Sequence, residues 1–221
     1  MPGMDPKEFL EELDASVAAK LERLGEAAAS AEPAGAMTVV ELLKVAMKKE
    51  LEAAEEAALW LVGERDVEVK LALARQCGDE AKHYRLIEER LRELGGDPAQ
   101  VDPLAEGYSP MFRYLKELAT TVERVAAGQF TREALAQVQN RVFIEYCEAK
   151  GDEGTARLYR DVIQPDERHH HELGRRLLLR LAVGDEEQRR AREASARTLA
   201  IAQELQELIR LKKGITRAPG C

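Results

Sequence analysis

Three observations predict an all-helical fold, built as a four-helix bundle with an additional helix at each end. Aromatic residues make up only 5% of the 221, glycine and proline are sparse, and strong helix formers dominate. Apolar residues recur at three- and four-residue spacing through long segments, separated by short Gly- or Pro-containing breaks. Finally, one polar pattern occurs twice inside those apolar stripes, Glu80-x-x-His83 and Glu167-x-x-His170, each preceded by an aspartate, Asp79 and Asp166. Residues three apart share one helix face, so each copy aims a carboxylate and an imidazole the same way.

The elements are read in order. Residues 5–29 form a first amphipathic helix, opened by Asp5-Pro6 and carrying Phe9, Leu10, Leu13, Val17, Leu21 and Leu24 on one side. Residues 30–36, with Pro33 and Gly35, read as a linker. Thr38 to Glu41 is a capping box for a second helix reaching about Val62, with the stripe Val39, Leu43, Ala46, Glu50, Ala53, Ala57 and Trp60. Glu50 interrupts that apolar seam, so it is either reaching to the edge or held in the core by a partner. A third helix spans 66–94 and stops at Gly95-Gly96. Residues 95–109 are a long connection. Ser109-Pro110 restarts helix, and the stripe keeps its phase through Gly128 and its polar middle (Gln129, Glu133, Asn140), which predicts one bent helix to about Lys150. The fifth segment, 152–182, contains Pro165 two residues before Glu167, where a missing N–H predicts a kink or bulge. Asp185 opens the last helix, to about Lys213, with Leu199, Ala202, Leu205, Leu208, Ile209 and Leu211 apolar, and 214–221 is a tail. The whole reads as one domain: a terminal helix at 5–29, the bundle at 38–182 and a second terminal helix at 185–213.

Composition excludes several classes. The net charge of −8 gives no nucleic-acid-coating surface. The three cysteines form no C-x-x-C, so neither a disulfide framework nor a zinc ribbon is expected. No apolar run is long enough to span a membrane and no ordinary export signal is seen, so the expected location is the cytoplasm. Cys77, Cys147, Tyr84, Tyr146 and Trp60 read as core residues. His169 and His171 read as flanking residues facing solvent or a neighbouring helix.

Helical hairpins pair residues equally distant from their turn. With the first turn centred near position 64.5, Glu80 faces about position 49, and Glu50 fits within one residue. With the second centred near 151.5, Glu167 faces about 136 and His170 about 133, which selects Glu133. Glu145 is the fallback, roughly 14 Å off level. The candidate metal ligands are therefore Glu50, Glu80, His83, Glu133, Glu167 and His170. Four carboxylates at one level repel unless protonated or met by cations, and two divalent ions supply the opposing charge. Oxygen-rich ligation with two imidazoles suits iron or manganese better than zinc. Asp79 and Asp166 are placed to orient a ligand histidine on a neighbouring helix. On the same reasoning, loss of Glu133 is expected to relieve repulsion in the metal-free core.

Over residues 38–182 this layout resembles the ferritin-like di-iron carboxylate superfamily. The stretches ELEAAEEA, DEAKHYRLIEERLRELGG, EALAQ and GDEGTARLYRDVIQPDERHHHELG are most similar to a bacterial group of uncharacterised ferritin-like proteins. That group carries E-L-x-A-x-E, D-E-A-x-H-F, E-A-R and D-E-x-x-H. The chain departs from it at Leu135, where the group has arginine, and at Pro165. The resemblance implies the same six ligands, two iron ions or a manganese/iron pair, and a non-haem centre that activates dioxygen to oxidise or hydroxylate a small substrate. With no rubredoxin-like module, electrons come from an external reductase or from the substrate. Three other readings stay open: ferroxidase or iron handling, a helical module with a structural metal site, and a tRNA-hydroxylase-like enzyme, whose branch is matched only by Phe143-Ile144-Glu145. The amphipathic terminal helices favour a homodimer over a shell.

Overall fold

The computed structural model describes residues 3–30, 37–213, 219 and 220, with backbone alone at 27–30 and 209–213. Of the linker predicted at 30–36, Ser30 still belongs to the first helix and 31–36 lie outside the described residues, as do residues 214–218 and the apolar side chains of Ile209 and Leu211. The chain is all-helical: α1 (Pro6–Ser30), α2 (Val39–Gly63), α3 (Val67–Glu93), α4 (Pro110–Lys116), α5 (Thr121–Val125), α6 (Glu133–Ala149), α7 (Glu153–Leu158), α8 (Gln164–Leu181) and α9 (Asp185–Lys213). No helix among the described residues is long and apolar enough to cross a membrane.

Local sequence accounts for the boundaries. Asp5 accepts from the amide of Lys7 at 2.9 Å at the start of α1. Thr38 and Glu41 close the predicted capping box on α2, and Asp66 caps α3. Gly95 takes a positive φ of 81° just past α3, a conformation open to glycine at little cost. The connection at 95–109 contains a single 3₁₀ turn, Pro98–Gln100, and is tied to α2 where the Ser109 amide donates to Glu52 at 2.7 Å.

The predicted helix from Ser109 to Lys150 is corrected in one respect. It breaks at residues 117–120, where Thr120 and Glu123 form a second capping box that opens α5. At Gly128 the helix runs on, as the unbroken stripe predicts: α5 passes through a π segment, Ala126–Arg132, directly into α6. Gly128 is needed there, because a Cβ would lie 2.8 Å from the Trp60 ring. The proline expectation holds as a bulge. A second π segment, Tyr159–Ile163, joins α7 to α8, with the Gln164 amide bonding five residues back to Tyr159. Pro165, which has no N–H to give Asp161, follows immediately.

The helices α2 and α3 pack as a hairpin, α6 packs on α8, and α3 meets α8. Along each long segment the buried residues run apolar, polar, apolar. Leu43, Met47, Ile87, Leu91, Phe143, Tyr159 and Ile163 belong to one apolar cluster. Trp60, Val69, Leu73, Phe130 and Leu177 belong to the other, which α1 and α9 extend with Phe9, Leu13, Val17, Ala191, Ala194 and Leu199. Full burial of each large apolar side chain contributes about 1.5–3 kcal/mol, so two such layers can carry a costly polar layer between them. Gly174 lets α8 approach closely, since its Cβ would meet the backbone of Gln129 and Phe130 at 2.8 Å.

Candidate metal centre

That polar layer contains the six predicted residues. Glu50, Glu80, His83, Glu133 and Glu167 are 0% exposed and His170 is 1% exposed. They form two overlapping groups: Glu50, Glu80, His83 and Glu167, and then Glu80, Glu133, Glu167 and His170. Within each group, one ligand atom per residue lies within 4.8 Å of all the others. Glu80 and Glu167 belong to both. The fallback Glu145 is exposed and takes no part. Both helices of the second hairpin carry a π segment just before their carboxylate, ending at Arg132 before Glu133 and at Ile163 before Glu167. The first hairpin has none.

The imidazoles are fixed from behind. His83 Nε2 lies 3.1 Å from Asp166 Oδ2, and His170 Nε2 lies 3.1 Å from Asp79 Oδ2. Each aspartate thus crosses to the histidine of the other helix, as expected from their positions. The Nδ1 atoms then face inward: His83 Nδ1 is 3.2 Å from Glu80 and 3.4 Å from Glu50, and His170 Nδ1 is 3.6 Å from Glu167. Lys82 Nζ also donates to Asp166 at 2.6 Å. His171 Nδ1 donates to the Phe130 carbonyl, 2.7 Å away, and the imidazole stacks on the Phe130 ring. His169 and Cys77 are half-buried, and burial pushes the fully enclosed Cys147 thiol up to about 12, so it is no ready nucleophile.

Electrostatics follow from burial against pairing. Burial pushes Glu50 up to about 7, partly offset by His83. Burial and the charges of Glu80 and Glu133 raise Glu167 well above the ordinary carboxylate range. Burial opposes the charge on His83, but the carboxylates of Glu50 and Glu80 beside it win and carry it to about 12. His170 is raised in the same way, by Asp79, Glu133 and Glu167 against burial. Glu133 is lowered because the adjacent Arg132 charge overcomes burial, and Asp79 is brought to about 2 chiefly by His170, again against burial.

Periodicity alone did not reveal the residues that surround Glu133. Gln76 Nε2 donates to Glu133 Oε1 at 2.6 Å and is itself held by Gln129 Nε2, 2.9 Å from Gln76 Oε1. Arg132, 6% exposed, bridges Glu56 Oε2 at 2.7 Å and Glu133 Oε1 at 3.0 Å. Gln129 lies on the expected stripe, but Glu56 and Arg132 each sit one position off it, and their partners are far away in sequence.

Buried polar atoms without a hydrogen-bond partner concentrate in this set. Neither oxygen of Glu50 or Glu167, nor Glu133 Oε2, nor His170 Nδ1 has a hydrogen-bond partner, although all are buried. Such groups cost about 1–3 kcal/mol each when left unmet. All of them belong to residues of the two groups above, so a cation in each group would give every one of these residues a partner. The donor set of four carboxylates and two imidazoles therefore fits a pair of divalent ions. Comparison with protein-family models, with curated proteins and with solved structures finds no match.

Proposed function

We propose that Glu50, Glu80, His83, Glu133, Glu167 and His170 hold two transition-metal ions, iron or manganese, in a ferritin-like four-helix arrangement. In this reading Glu80 and Glu167 are shared, Glu50 and His83 complete one position, and Glu133 and His170 the other. Such a pair supplies redox chemistry toward dioxygen, for oxidation or hydroxylation of a small organic substrate. The chain's own residues do the rest. Asp79 and Asp166 keep each ring N–H on Nε2, so that Nδ1 presents its lone pair. The apolar layers on both sides exclude water from the centre.

The observation that carries the reading is the set of unpartnered buried oxygens and Nδ1 in one place. A purely structural polar network would be expected to satisfy its own members. Metal analysis of purified protein tests it: about two ions per chain are expected, lost together in the Glu80→Ala, Glu167→Ala double variant. Substoichiometric metal that survives this change sinks the assignment. Light scattering separates oxidase from storage protein. A monomer or small oligomer is expected, and a shell of many chains with a mineral core would mean iron storage instead.

A further inference from the structure

A cavity of about 700 Å³ lies between α2, the connection at 101–109, α4, α6 and the second half of α9. It falls within the roughly 300–1,000 Å³ of ordinary small-molecule pockets, far more than dioxygen or an ion needs. Its wall includes Glu56 and Arg132, the buried pair whose guanidinium also touches Glu133. One side chain therefore separates the cavity from the centre. Leu115, Leu135, Val138 and Leu205 give the cavity an apolar body.

The charges along the wall are unevenly placed. Beside the centre, Arg132 is already met by two carboxylates, Glu56 and Glu133, so an incoming anion gains nothing there and meets Glu56. Along α2 the wall carries Lys44, Lys48 and Lys49, three cations within six positions, and its remaining charges are Glu52 on the same helix, Asp102 and Glu106 on the connection and Arg113 on α4. Lys44 is exposed, and Lys48 lies 3.8 Å from Glu52 while donating to the Gly107 carbonyl. At 1.5 Å per residue, Lys44 and Glu56 are about 18 Å apart along the helix. An elongated guest can therefore span from the lysines to the Arg132–Glu56 wall.

We propose that this cavity is the substrate chamber of the centre and takes an amphipathic monocarboxylate. Its carboxylate sits toward Lys44 and Lys48, and its apolar end lies against the Arg132–Glu56 wall beside Glu133. The proposal rests on the metal-centre reading for the word substrate, but not for the binding itself.

The test titrates a fluorescent polyene fatty acid into full-length protein and displaces it with dodecanoate or dodecanol, with metal content measured on the same samples. One saturable site per chain is expected, with dodecanoate the stronger competitor. Val138→Trp and Leu205→Trp, which fill the chamber, should weaken the probe at least tenfold with metal content unchanged. Lys44→Gln with Lys48→Gln should weaken dodecanoate severalfold and leave dodecanol as it was. Absence of a saturable site, undiminished binding in the filled variants, or equal competition by the alcohol overturns the proposal. An unsubstituted chain that holds two ions but shows no saturable probe site would fault the chamber alone, and probe binding to an unsubstituted chain that holds no metal would fault the centre alone.

Discussion

Loading the centre with metal should expel about three to four protons per chain at pH 7, and the number follows from the residues. In the metal-free chain, His83 and His170 are imidazolium ions, held so by Glu50, Glu80, Asp79 and Glu133 against the pull of burial. Glu167 is raised well above its ordinary range by burial and by Glu80 and Glu133, so it keeps its proton. Glu50, at about 7, keeps about half of one. Glu80 and Glu133 are lowered and have none to give. The metal-free cluster thus sets two cations against two full anions and the partly ionised Glu50. Metal binding at each Nδ1 releases that proton and leaves the Nε2 proton on its aspartate, while Glu50 and Glu167 must ionise. Calorimetric titration of manganese(II) into metal-stripped protein, in two buffers of different ionisation enthalpy, counts the protons directly. Protons compete with metal, so affinity falls as pH falls, by roughly three to four decades per two-ion event for each pH unit near neutrality. Release of one proton or none at pH 7 would refute the reasoning, since the histidines would then not be imidazolium ions in the metal-free chain.

Two further expectations are local. Glu133→Ala should leave the protein folded and short of one metal ion, whereas Glu145→Ala, at an exposed position, should load normally and shift stability by no more than about 0.5 kcal/mol; metal analysis and thermal unfolding of both variants decide it. Asp79→Asn and Asp166→Asn should each lower metal affinity by about 10–100-fold. In a histidine-resolved NMR titration Asp79→Asn should perturb His170 and Asp166→Asn should perturb His83; the opposite pairing would contradict the crossed geometry.

The site was more legible in the sequence than the scaffold around it, for a physical reason. Glu80 with His83 and Glu167 with His170 are local pairs, fixed by helix pitch, and the hairpin levels depend only on rise per residue. Even the π segment between the second turn and Glu167 did little damage: one inserted residue shifts the level by about 1.5 Å, within a carboxylate's reach. The break at residues 117–120 was missed although its signal was present. Thr120-x-x-Glu123 is the same capping pattern that located α2 at Thr38-x-x-Glu41. The Gln129–Gln76–Glu133 chain and the Glu56–Arg132 bridge were out of reach, because each joins helices 53 to 76 positions apart. The tail offers a similar case. Pro219 and Gly220 are buried, the Gly220 amide donates to Asn140 Oδ1 at 2.8 Å, and a Cβ at Gly220 would meet the Ala136 backbone at 2.4 Å. No periodicity in a short Gly- and Pro-containing tail announces such a contact.

The hydrogen bonds that Glu133 receives reverse the expectation that its loss relieves the metal-free core. Glu133 Oε1 accepts from both Gln76 and Arg132, so its charge is met, while Glu50 has a hydrogen bond to neither oxygen. Removing the two charges should therefore act in opposite directions. Glu50 is raised from 4.5 to about 7, so the folded chain binds the proton more tightly than the unfolded one. Stability is lost as pH rises from 4.5 through 7, and the gap corresponds to about 3 kcal/mol. Glu50→Gln should recover up to about that much at pH 8 and nothing near pH 4.5. Glu133 is lowered, so its contribution is present above 4.5 and fades as pH falls below it. Glu133→Gln at pH 8 should cost about 1–3 kcal/mol, the difference between charge-assisted and neutral bonds to two buried donors. Denaturant unfolding of chelator-treated protein at both pH values measures the pair. If both substitutions destabilise at pH 8, or both stabilise, then Arg132 and Gln76 do not distinguish the two carboxylates.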